Sequence, residues 1–396
     1  MDIAIYTLTS ELHNEEAVNS VTKSFLDSLQ TEHSFKGSNY SDYGSHELNL
    51  IFVRTGGTES VFLRLLESGQ LPTDKPFYLL TSGKSNSLAA SMEILSFLRQ
   101  KGLSGEIIHG SSSYIRERIN ILFTVSKAFK ELRGIKLGII GKPSDWLISS
   151  TYDPASVADK LGVRLIDIPM DELLQTMKKT AIKEPSETSD RDCIRRSLPV
   201  ANQIYNALKT IVEDKCLSGL TIRCFDLLTS VKNTGCLALA KLNSEGIVAG
   251  CEGDVPTMLT MAIARALTGK SGFQANPSSI NPETGDMIFA HCTVPLNMVD
   301  AYELDTHFES GIGVGIRGKM PEGGVTIFKV AGDLKRWFVA EGTLEKNQND
   351  PDLCRTQIVV RLDHAEDVNY FLTNPVGNHH VILLGRHKKL IESFFE

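Results

Sequence analysis

The chain has 396 residues, of which 41% are hydrophobic and 22% are charged. This length and composition are typical of a globular protein with two or three domains and exclude a disordered chain or a single small module. Lysine and arginine total 41 against 48 acidic residues, a formal net charge of -7. Because no overall positive field is present to hold nucleic acid or an anionic membrane, we expect a small-molecule ligand.

The sequence carries no sign of export or of a membrane span. No run of about eighteen apolar residues appears, and the first residues, MDIAIYTLTSELHNEE, lack the cationic and apolar regions of a signal peptide. We therefore expect a cytoplasmic protein with no membrane partner. The seven cysteines form no CxxC pair, which argues against a disulfide scaffold and a thiolate zinc site.

Residues 1–133 alternate short apolar runs with amphipathic stretches. DIAIYTL, ELNLIFVRT and PFYLLTS have the character of buried strands, and Val18, Val21, Phe25 and Leu29 are spaced as on one helix face. This rhythm predicts an amino-terminal α/β domain over 1–133 with a mostly parallel sheet.

The same rhythm restarts at IKLGIIGK and predicts a second α/β domain over 134–285. The strands VRLIDI, GLTIRCF and IVAG alternate with helical stretches, the last of which is expected to end at Gly269. Within this domain the charged segment 180–197 is expected to be a linker or a surface segment.

From about residue 286 the pattern changes to short alternating runs separated by Gly, Pro, Asn and Asp. DMIFAHC, GGVTIFKVAG, TQIVVRL and NHHVILLG are typical of antiparallel strands, and a short helix follows the last of them. We predict an antiparallel sandwich or barrel over 286–396. The expected fold class is therefore α/β, with two Rossmann-like domains that have parallel sheets, followed by this antiparallel region.

Two acids stand where a strand ends and a helix begins, in Cys251-Glu252-Gly253-Asp254. Open α/β sheets bind their ligands at the carboxyl ends of their strands. Asp254 equally suits a helix cap, whereas a glutamate between an apolar strand and an apolar helix is costly unless it is paired or metal-bound. Glu252 is the leading candidate for catalysis and metal binding, and Asp254 is a candidate for substrate binding.

The next strand ends deliver Asn276 and His291, and NHHVILLG supplies His379 and His380. Strand alternation sends the two adjacent imidazoles to opposite faces, so at most one is expected at a shared site. Oxygen and imidazole ligands without sulfur favour Mn²⁺, Mg²⁺ or Fe²⁺ over structural Zn²⁺. Packing is the alternative interpretation of the double histidine, and a hydrogen-bonded position beneath the site is the alternative for His291.

Four ordered motifs carry a resemblance to a known family. CEGDVPTMLTMAIARALTG, FQANPSSINPETGDMIFAHCTVP, THFESGIGVGIRG and GNHHVILLGRH are similar to the carboxy-terminal portion of L-fucose isomerase and related proteins, which are akin to L-arabinose isomerases. The resemblance runs from about residue 219 to the end. TGGTE, NSLAASMEI and GKPSDWLI match less sharply, in the order expected of the shorter family members, which lack the extra amino-terminal sequence of long fucose isomerases.

The resemblance implies a metal-dependent aldose–ketose isomerase of carbohydrate metabolism that works through a cis-enediol. In such enzymes a glutamate, an aspartate and a histidine hold Mn²⁺, for which Mg²⁺, Fe²⁺ or Co²⁺ are alternatives, and the carboxylates move protons. The glutamate falls on Glu252, the aspartate on the position of Asn276, and the histidine on His380. The resemblance also implies a homo-oligomer.

Asn276 departs from this pattern. An asparagine can offer a carbonyl oxygen to a metal but cannot accept a proton, so one of the two acid/base carboxylates is missing. His291 is a candidate replacement because its ordinary pKa near 6.5 permits proton transfer at neutral pH. Two alternatives stand beside an isomerase: a sugar-binding or regulatory protein without catalysis, and another metal-assisted sugar reaction such as epimerisation or dehydration.

Further candidate substrate contacts lie earlier in the chain. Thr55, Gly56 and Gly57 follow a strand and could present backbone N–H groups to a ligand, although a plain tight turn explains them equally. Trp146 follows the strand IKLGIIG and suits either the apolar face of a sugar ring or a subunit contact. His379 completes the set expected to bind substrate.

Overall fold

The protein is described here by a computed structural model that covers residues 1–182 and 187–396. These residues form two compact units, Met1–Lys127 and Ala128–Glu396. The division into three domains at 1–133, 134–285 and 286–396 stays a prediction.

Alternating strands and helices build the amino-terminal unit. Its elements are β1 (Ile3–Leu8), α1 (Glu15–Leu29), β2 (Ser34–Gly37), β3 (Leu48–Val53), α2 (Glu59–Glu67), β4 (Phe77–Thr81), α3 (Ser87–Gln100), β5 (Gly105–Ile108) and α4 (Ser112–Leu132). The part of α4 from Ala128 onward belongs to the second unit. The five strands pair in parallel in the order β2-β1-β3-β4-β5. Every residue of β1 and β3 is buried, as expected for a parallel sheet covered on both faces.

The second unit begins with another α/β arrangement. Its elements are β6 (Lys136–Ile140), α5 (Pro154–Leu161), β7 (Arg164–Ile168), α6 (Met170–Lys179), α7 (Asp192–Lys215), β8 (Gly219–Ile222), α8 (Phe225–Ser230), α9 (Cys236–Ser244), β9 (Val248–Gly250) and α10 (Val255–Thr268). The four strands are parallel in the order β7-β6-β8-β9. The turn after β9 therefore lies at the carboxyl edge of this sheet.

The segment 180–197, expected to be a linker or a surface segment, is divided. Residues 183–186 lie outside the described part of the chain, and residues from Asp192 onward belong to α7. The linker alternative is wrong for residues 192–197, which are helical and bury Ile194 in the barrel's core. Asp192, Arg195 and Arg196 are exposed, in agreement with the surface alternative.

A closed antiparallel barrel completes the second unit. Its region comprises β10 (Phe273–Ile280), β11 (Asp286–His291), β12 (Ala301–Asp305), β13 (Gly315–Lys319), β14 (Gly323–Val330), β15 (Trp337–Asn347), β16 (Thr356–Leu362), α11 (Val368–Thr373), β17 (His380–Leu384) and α12 (Lys388–Phe395). Six strands close in the order β10-β11-β16-β15-β14-β17, while β12 and β13 form a separate pair. Two parallel sheets followed by an antiparallel barrel confirm the predicted fold class.

Barrel closure places the last strand beside the first. In the β10–β17 pair, Ala275 faces His380 and Phe273 faces Ile382. Helix α10 lies against β14, where Thr260 Oγ1 accepts the backbone N–H of Val330 at 3.1 Å. The turn that precedes α10 is thereby held beside the segment that precedes β17. Across the described ranges, none of the helices combines the length and apolar character needed to cross a membrane.

Candidate metal and active site

The turn between β9 and α10 has an unusual backbone. Glu252 and Gly253 both lie in the left-handed region, at φ +63° and +69°. A Cβ on Gly253 would stand 2.3 Å from the carbonyl oxygen of Lys142, so only glycine fits this close approach. Asp254 then caps α10 by accepting the backbone N–H of Thr257 at 2.8 Å. The sequence folds sharply here and fixes the direction of the Glu252 side chain.

Three side chains from distant parts of the second unit meet at this turn. Ligand atoms of Glu252, His291 and His379 all lie within 4.8 Å of one another. The Oε1 atom of Glu252 is 3.5 Å from Nε2 of His379 and 3.8 Å from Nε2 of His291. Among the described residues, this is the group of histidine, cysteine and acidic side chains whose spacing could hold a metal ion.

The structure corrects the expectation that His380 is the histidine beside Glu252. His380 shares a face of β17 with Ile382, which belongs to the barrel core. Its Nε2 lies 3.0 Å from the hydroxyl of Tyr370, and Nδ1 lies 3.0 Å from the Asn378 carbonyl oxygen. His379 takes the opposite face and meets Glu252.

Two buried groups orient His379. Nδ1 donates to Oδ2 of Asp254 at 2.8 Å, which leaves Nε2 directed at the cluster. Lys329 lies behind Asp254, with Nζ 3.6 Å from the same carboxylate oxygen. The side chains of all three are completely buried, so the ion pair and hydrogen bond hold one imidazole orientation in a low-dielectric setting.

The other two cluster residues have partners of their own. Nδ1 of His291 lies 2.9 Å from the hydroxyl of Thr293, and the indole N–H of Trp146 donates to Oε2 of Glu252 at 2.6 Å. The Trp146 side chain is 49% exposed and packs edge-to-face against Phe225. The two carboxylate oxygens thus face different surroundings: Oε1 faces the imidazoles, and Oε2 faces an exposed aromatic edge.

Burial and the neighbouring charges shift the pKa values of Glu252, His291 and His379. Burial opposes ionisation of Glu252, but the facing imidazoles of His291 and His379 outweigh it and hold the carboxyl pKa well below its usual range. Burial likewise disfavours the charged form of His379, yet Asp254 and Glu252 raise its pKa to about 9. For His291 burial dominates and lowers the pKa. Two buried carboxylates therefore create a negative potential at the imidazoles.

Asn276 lies on β10 at the same side of the barrel. Its Oδ1 accepts a long hydrogen bond of 3.4 Å from Nδ2 of Asn378, the residue before His379. Two residues earlier, Gln274 Oε1 accepts the backbone N–H of Cys251 at 2.8 Å and so ties β10 to the Glu252 turn. The predicted catalytic and metal roles of Asn276 stay predictions.

Thr55, Gly56 and Gly57 lie in the amino-terminal unit, between β3 and α2. Thr55 Oγ1 accepts the backbone N–H of Ser10 at 3.0 Å, and the N–H of Gly56 donates to the Ser85 carbonyl at 2.7 Å. These groups are used to hold the turn. The predicted contact with substrate stays a prediction.

Sequence reasoning missed Lys329 and Thr293. A lysine inside the apolar strand GGVTIFKV was the available signal, because a charge there must find a buried partner. Thr293 follows His291 in HCTVP and carries no comparable pattern. Lys329 reaches His379 through Asp254, and Thr293 contacts His291.

The donor set fits a divalent cation. Nε2 of His379 is buried without a hydrogen-bond partner in the described structure, and such an orphaned nitrogen is a rare feature that calls for an explanation. One carboxylate oxygen and two imidazole nitrogens suit Mn²⁺, Fe²⁺, Co²⁺ and related ions. Glu252, His291 and His379 are therefore a candidate metal centre.

The chain is similar to proteins named sulfoquinovose isomerase. It is 23% identical over 266 residues to the protein of Alkalicoccus urumqiensis, covering 62% of this chain and 59% of the relative. It is 23% identical over 231 residues to the protein of Priestia megaterium (strain ATCC 12872 / QMB1551), covering 55% of this chain and 52% of the relative. It is 24% identical over 266 residues to the protein of Clostridium sp. (strain MSTE9), covering 62% of this chain and 58% of the relative.

The alignments span between half and three fifths of the relatives' own lengths. No family model matches the chain. Similarity to proteins named as isomerases agrees with the predicted reaction class, while the L-fucose and L-arabinose type stays a prediction.

Proposed function

We propose that the protein is a metal-dependent aldose–ketose isomerase that works through a cis-enediol. The observation that carries the proposal is the meeting of Glu252, His291 and His379, with Nε2 of His379 buried and without a hydrogen-bond partner in the described structure. The similarity to sulfoquinovose isomerases supports the same reaction class.

Glu252, His291 and His379 would hold the ion, and Mn²⁺ is the proposed occupant, with Mg²⁺, Fe²⁺ and Co²⁺ as alternatives. When bound, a divalent cation polarises a substrate carbonyl and the adjacent hydroxyl, which makes the neighbouring C–H more acidic. The negative potential of Glu252 and Asp254, which raises the pKa of His379, favours a cation at the same place.

Glu252 is the proposed proton carrier. Its low pKa keeps it ionised at neutral pH, so it can accept the proton from C2 of an aldose. A cis-enediol presents C1 and C2 on one face, so a single carboxylate can return to C1 the proton that it removed from C2, while the hydroxyl proton of O2 passes to O1. Asn276 at the position of a second carboxylate is therefore compatible with the carbon-to-carbon transfer.

Trp146 and the pair Asp254–Lys329 have supporting roles in this proposal. The indole N–H fixes Oε2 of Glu252 at the exposed edge of the site, and its ring offers an apolar face for a sugar. Asp254 and Lys329 keep His379 in one orientation. Both devices reduce the reorganisation that proton transfer requires.

The names of the relatives support a proposal for the substrate class. We propose a sugar of the sulfoquinovose kind, a hexose that bears a sulfonate in place of the 6-hydroxyl. The chain aligns with between half and three fifths of each relative's length, and the proposed substrate rests on this aligned part.

The test is proton NMR of Mn²⁺-loaded protein in D₂O with sulfoquinovose, glucose, L-fucose and L-arabinose. Ketose formation with deuterium entering the carbon skeleton, abolished by a chelator and restored by Mn²⁺, is the expected result. If folded, metal-loaded protein binds a sugar without exchange, the sugar-binding alternative replaces the isomerase. A product whose carbonyl stays at C1 would instead identify epimerisation or dehydration.

A further inference from the structure

A cavity of about 290 Å³ lies in the second unit between three segments: residues 149–153, the turn from β14 to β15, and residues 375–377 before β17. We call it the Lys329 cavity. Its polar lining groups include the charged side chains of Asp153, Asp333, Arg336 and Lys329. Two residues of the cavity wall are close in sequence to the candidate metal centre. Pro256 is two residues after Asp254, and Gly377 is two residues before His379.

Gly377 is the reason that the cavity reaches Lys329. A Cβ at this position would stand 3.3 Å from Oγ of Ser150, 3.7 Å from Cε of Lys329 and 3.8 Å from Nζ. An ammonium has three N–H donors, and Nζ donates to Thr257 Oγ1 at 2.6 Å and lies 3.6 Å from Oδ2 of Asp254. The missing side chain leaves the ammonium directly beneath the cavity wall.

The charges of the lining define a ligand class. Arg336 donates from Nη2 to the carbonyl and the side-chain oxygen of Asn374, which are both neutral. Asp153 and Asp333 accept the backbone N–H groups of Ala155 and Lys335, and a carboxylate has further lone pairs for hydroxyl donors. Cationic donors together with hydroxyls and carboxylate acceptors match a polyol that carries an anionic group.

Size restricts the ligand further. Pockets for drug-sized ligands are roughly 300–1,000 Å³, so this cavity, at about 290 Å³, suits a single sugar unit. Lys329 lies against Asp254, and Asp254 holds Nδ1 of His379. Two contacts, Lys329–Asp254 and Asp254–His379, therefore connect this wall to the candidate metal centre.

We propose that the Lys329 cavity is a second binding site, for a small anionic sugar, whose occupancy is transmitted to His379 through Lys329 and Asp254. The site is separate from the reaction centre at Glu252 and does not depend on isomerase activity. Its ligand is a sugar phosphate, sugar sulfonate or sugar acid.

The test is calorimetric titration of the metal-free chain with glucose 6-phosphate, glucuronate, glucose and inorganic phosphate. Saturable binding of glucose 6-phosphate or glucuronate is expected, with glucose weaker by about tenfold or more because it lacks the charge-assisted contact. Arg336→Gln should weaken the binding by a similar factor. Arg164→Gln, which removes an exposed arginine that does not line the cavity, should leave it unchanged.

Gly377→Ala supplies a second variant that removes no charge. The added methyl narrows the cavity at Ser150 and strains a backbone that lies at φ +71°. Binding should weaken, and thermal unfolding checks that the chain still folds. Equal binding in wild type and Arg336→Gln would overturn the proposal, as would no binding of any probe. Loss of binding in Glu252→Gln but not in Arg336→Gln would assign the ligand to the reaction centre and also overturn it.

The proposed transmission from the cavity to His379 is tested separately, by NMR of the imidazole. In ¹⁵N NMR of histidine side chains, with His379 assigned by substitution, glucose 6-phosphate should shift its imidazole signals in wild type but not in Arg336→Gln. An unchanged signal at saturating ligand would overturn the transmission through Lys329. Because these measurements use no metal and no turnover, their failure is distinguishable from failure of the proposed isomerase.

Discussion

At the scale of single residues, the carboxylate of Glu252 has two separate tasks in the proposed site. Oε1 faces the imidazoles of His291 and His379, and Oε2 accepts the indole N–H of Trp146. One charge thus contributes to cation binding and to proton transfer.

Glu252→Gln keeps an oxygen ligand but loses the charge and the basic site. We expect Mn²⁺ affinity to fall by roughly tenfold or more and exchange of substrate protons to fall by about 10²–10⁴-fold. Electron paramagnetic resonance of free Mn²⁺ during titration measures the first, and NMR in D₂O the second. Unchanged Mn²⁺ binding would remove Glu252 from the metal centre.

The two adjacent histidines form a matched pair for substitution. His379→Ala should abolish most Mn²⁺ binding, because His379 faces Glu252. His380→Ala should retain it and instead lower the free energy of unfolding by about 1–3 kcal/mol, because Tyr370 loses a buried partner. Mn²⁺ titration and urea unfolding of both variants check this, and equal metal loss in both would contradict the assignment.

At the scale of elements, the site depends on the turn from β9 to α10. Gly253 permits the contact with the loop of Lys142, and Ser144 donates its backbone N–H to the Glu252 carbonyl at 2.9 Å. The loop after β6 and the turn after β9 therefore form one supporting structure for the Glu252 side chain.

Gly253→Ala and Gly269→Ala separate backbone strain from steric conflict. Both glycines have nearly the same φ, +69° and +68°, but an added Cβ at Gly269 meets nothing within 4 Å. We expect Gly269→Ala to cost roughly 1 kcal/mol, and Gly253→Ala to cost more and also weaken Mn²⁺ binding. Thermal unfolding and Mn²⁺ titration test this, and equal effects of both substitutions would show that the close approach to Lys142 is unimportant.

At the scale of the whole molecule, partly buried ion pairs join elements that are distant in the chain. Asp305, at the end of β12, is 2.6 Å from Arg191 and 2.8 Å from Arg317. Its side chain is 13% exposed. Burial opposes its ionisation, but Arg317 and Arg191 outweigh burial and lower the pKa from 3.8 to about 2. The network thus connects the start of α7 with the β12–β13 pair.

This pKa shift predicts a stability change in acid. A carboxylate with a lowered folded pKa stabilises the fold above its unfolded pKa, and the stabilisation is lost as the pH falls from about 4 to about 2. The loss is about 2 kcal/mol for this group. Asp305→Asn should therefore flatten the dependence of the urea midpoint on pH between 5 and 2, whereas Asp300→Asn, at an exposed neighbouring position, should not. Parallel curves for wild type and Asp305→Asn would refute the assignment.

The sequence by itself determined the architecture of this protein. Continuous apolar runs in β1 and β3 predicted parallel strands buried on both faces, and the change to short alternating runs predicted the antiparallel barrel, because burial imposes these patterns directly on the residues. The same reasoning found Glu252, since a carboxylate between two apolar elements needs a partner.

Only the tertiary structure decided which residues face Glu252. Val381 and Ile382 are both buried, so the strand after the two histidines shows no alternation that tells the inner face from the outer. Closure of the barrel turns His380 inward to Tyr370 and sends His379 to Glu252 and Asp254. Lys329 joins them through the packing of α10 on β14. Such contacts join residues far apart in sequence, and local patterns contain no information about which distant faces meet.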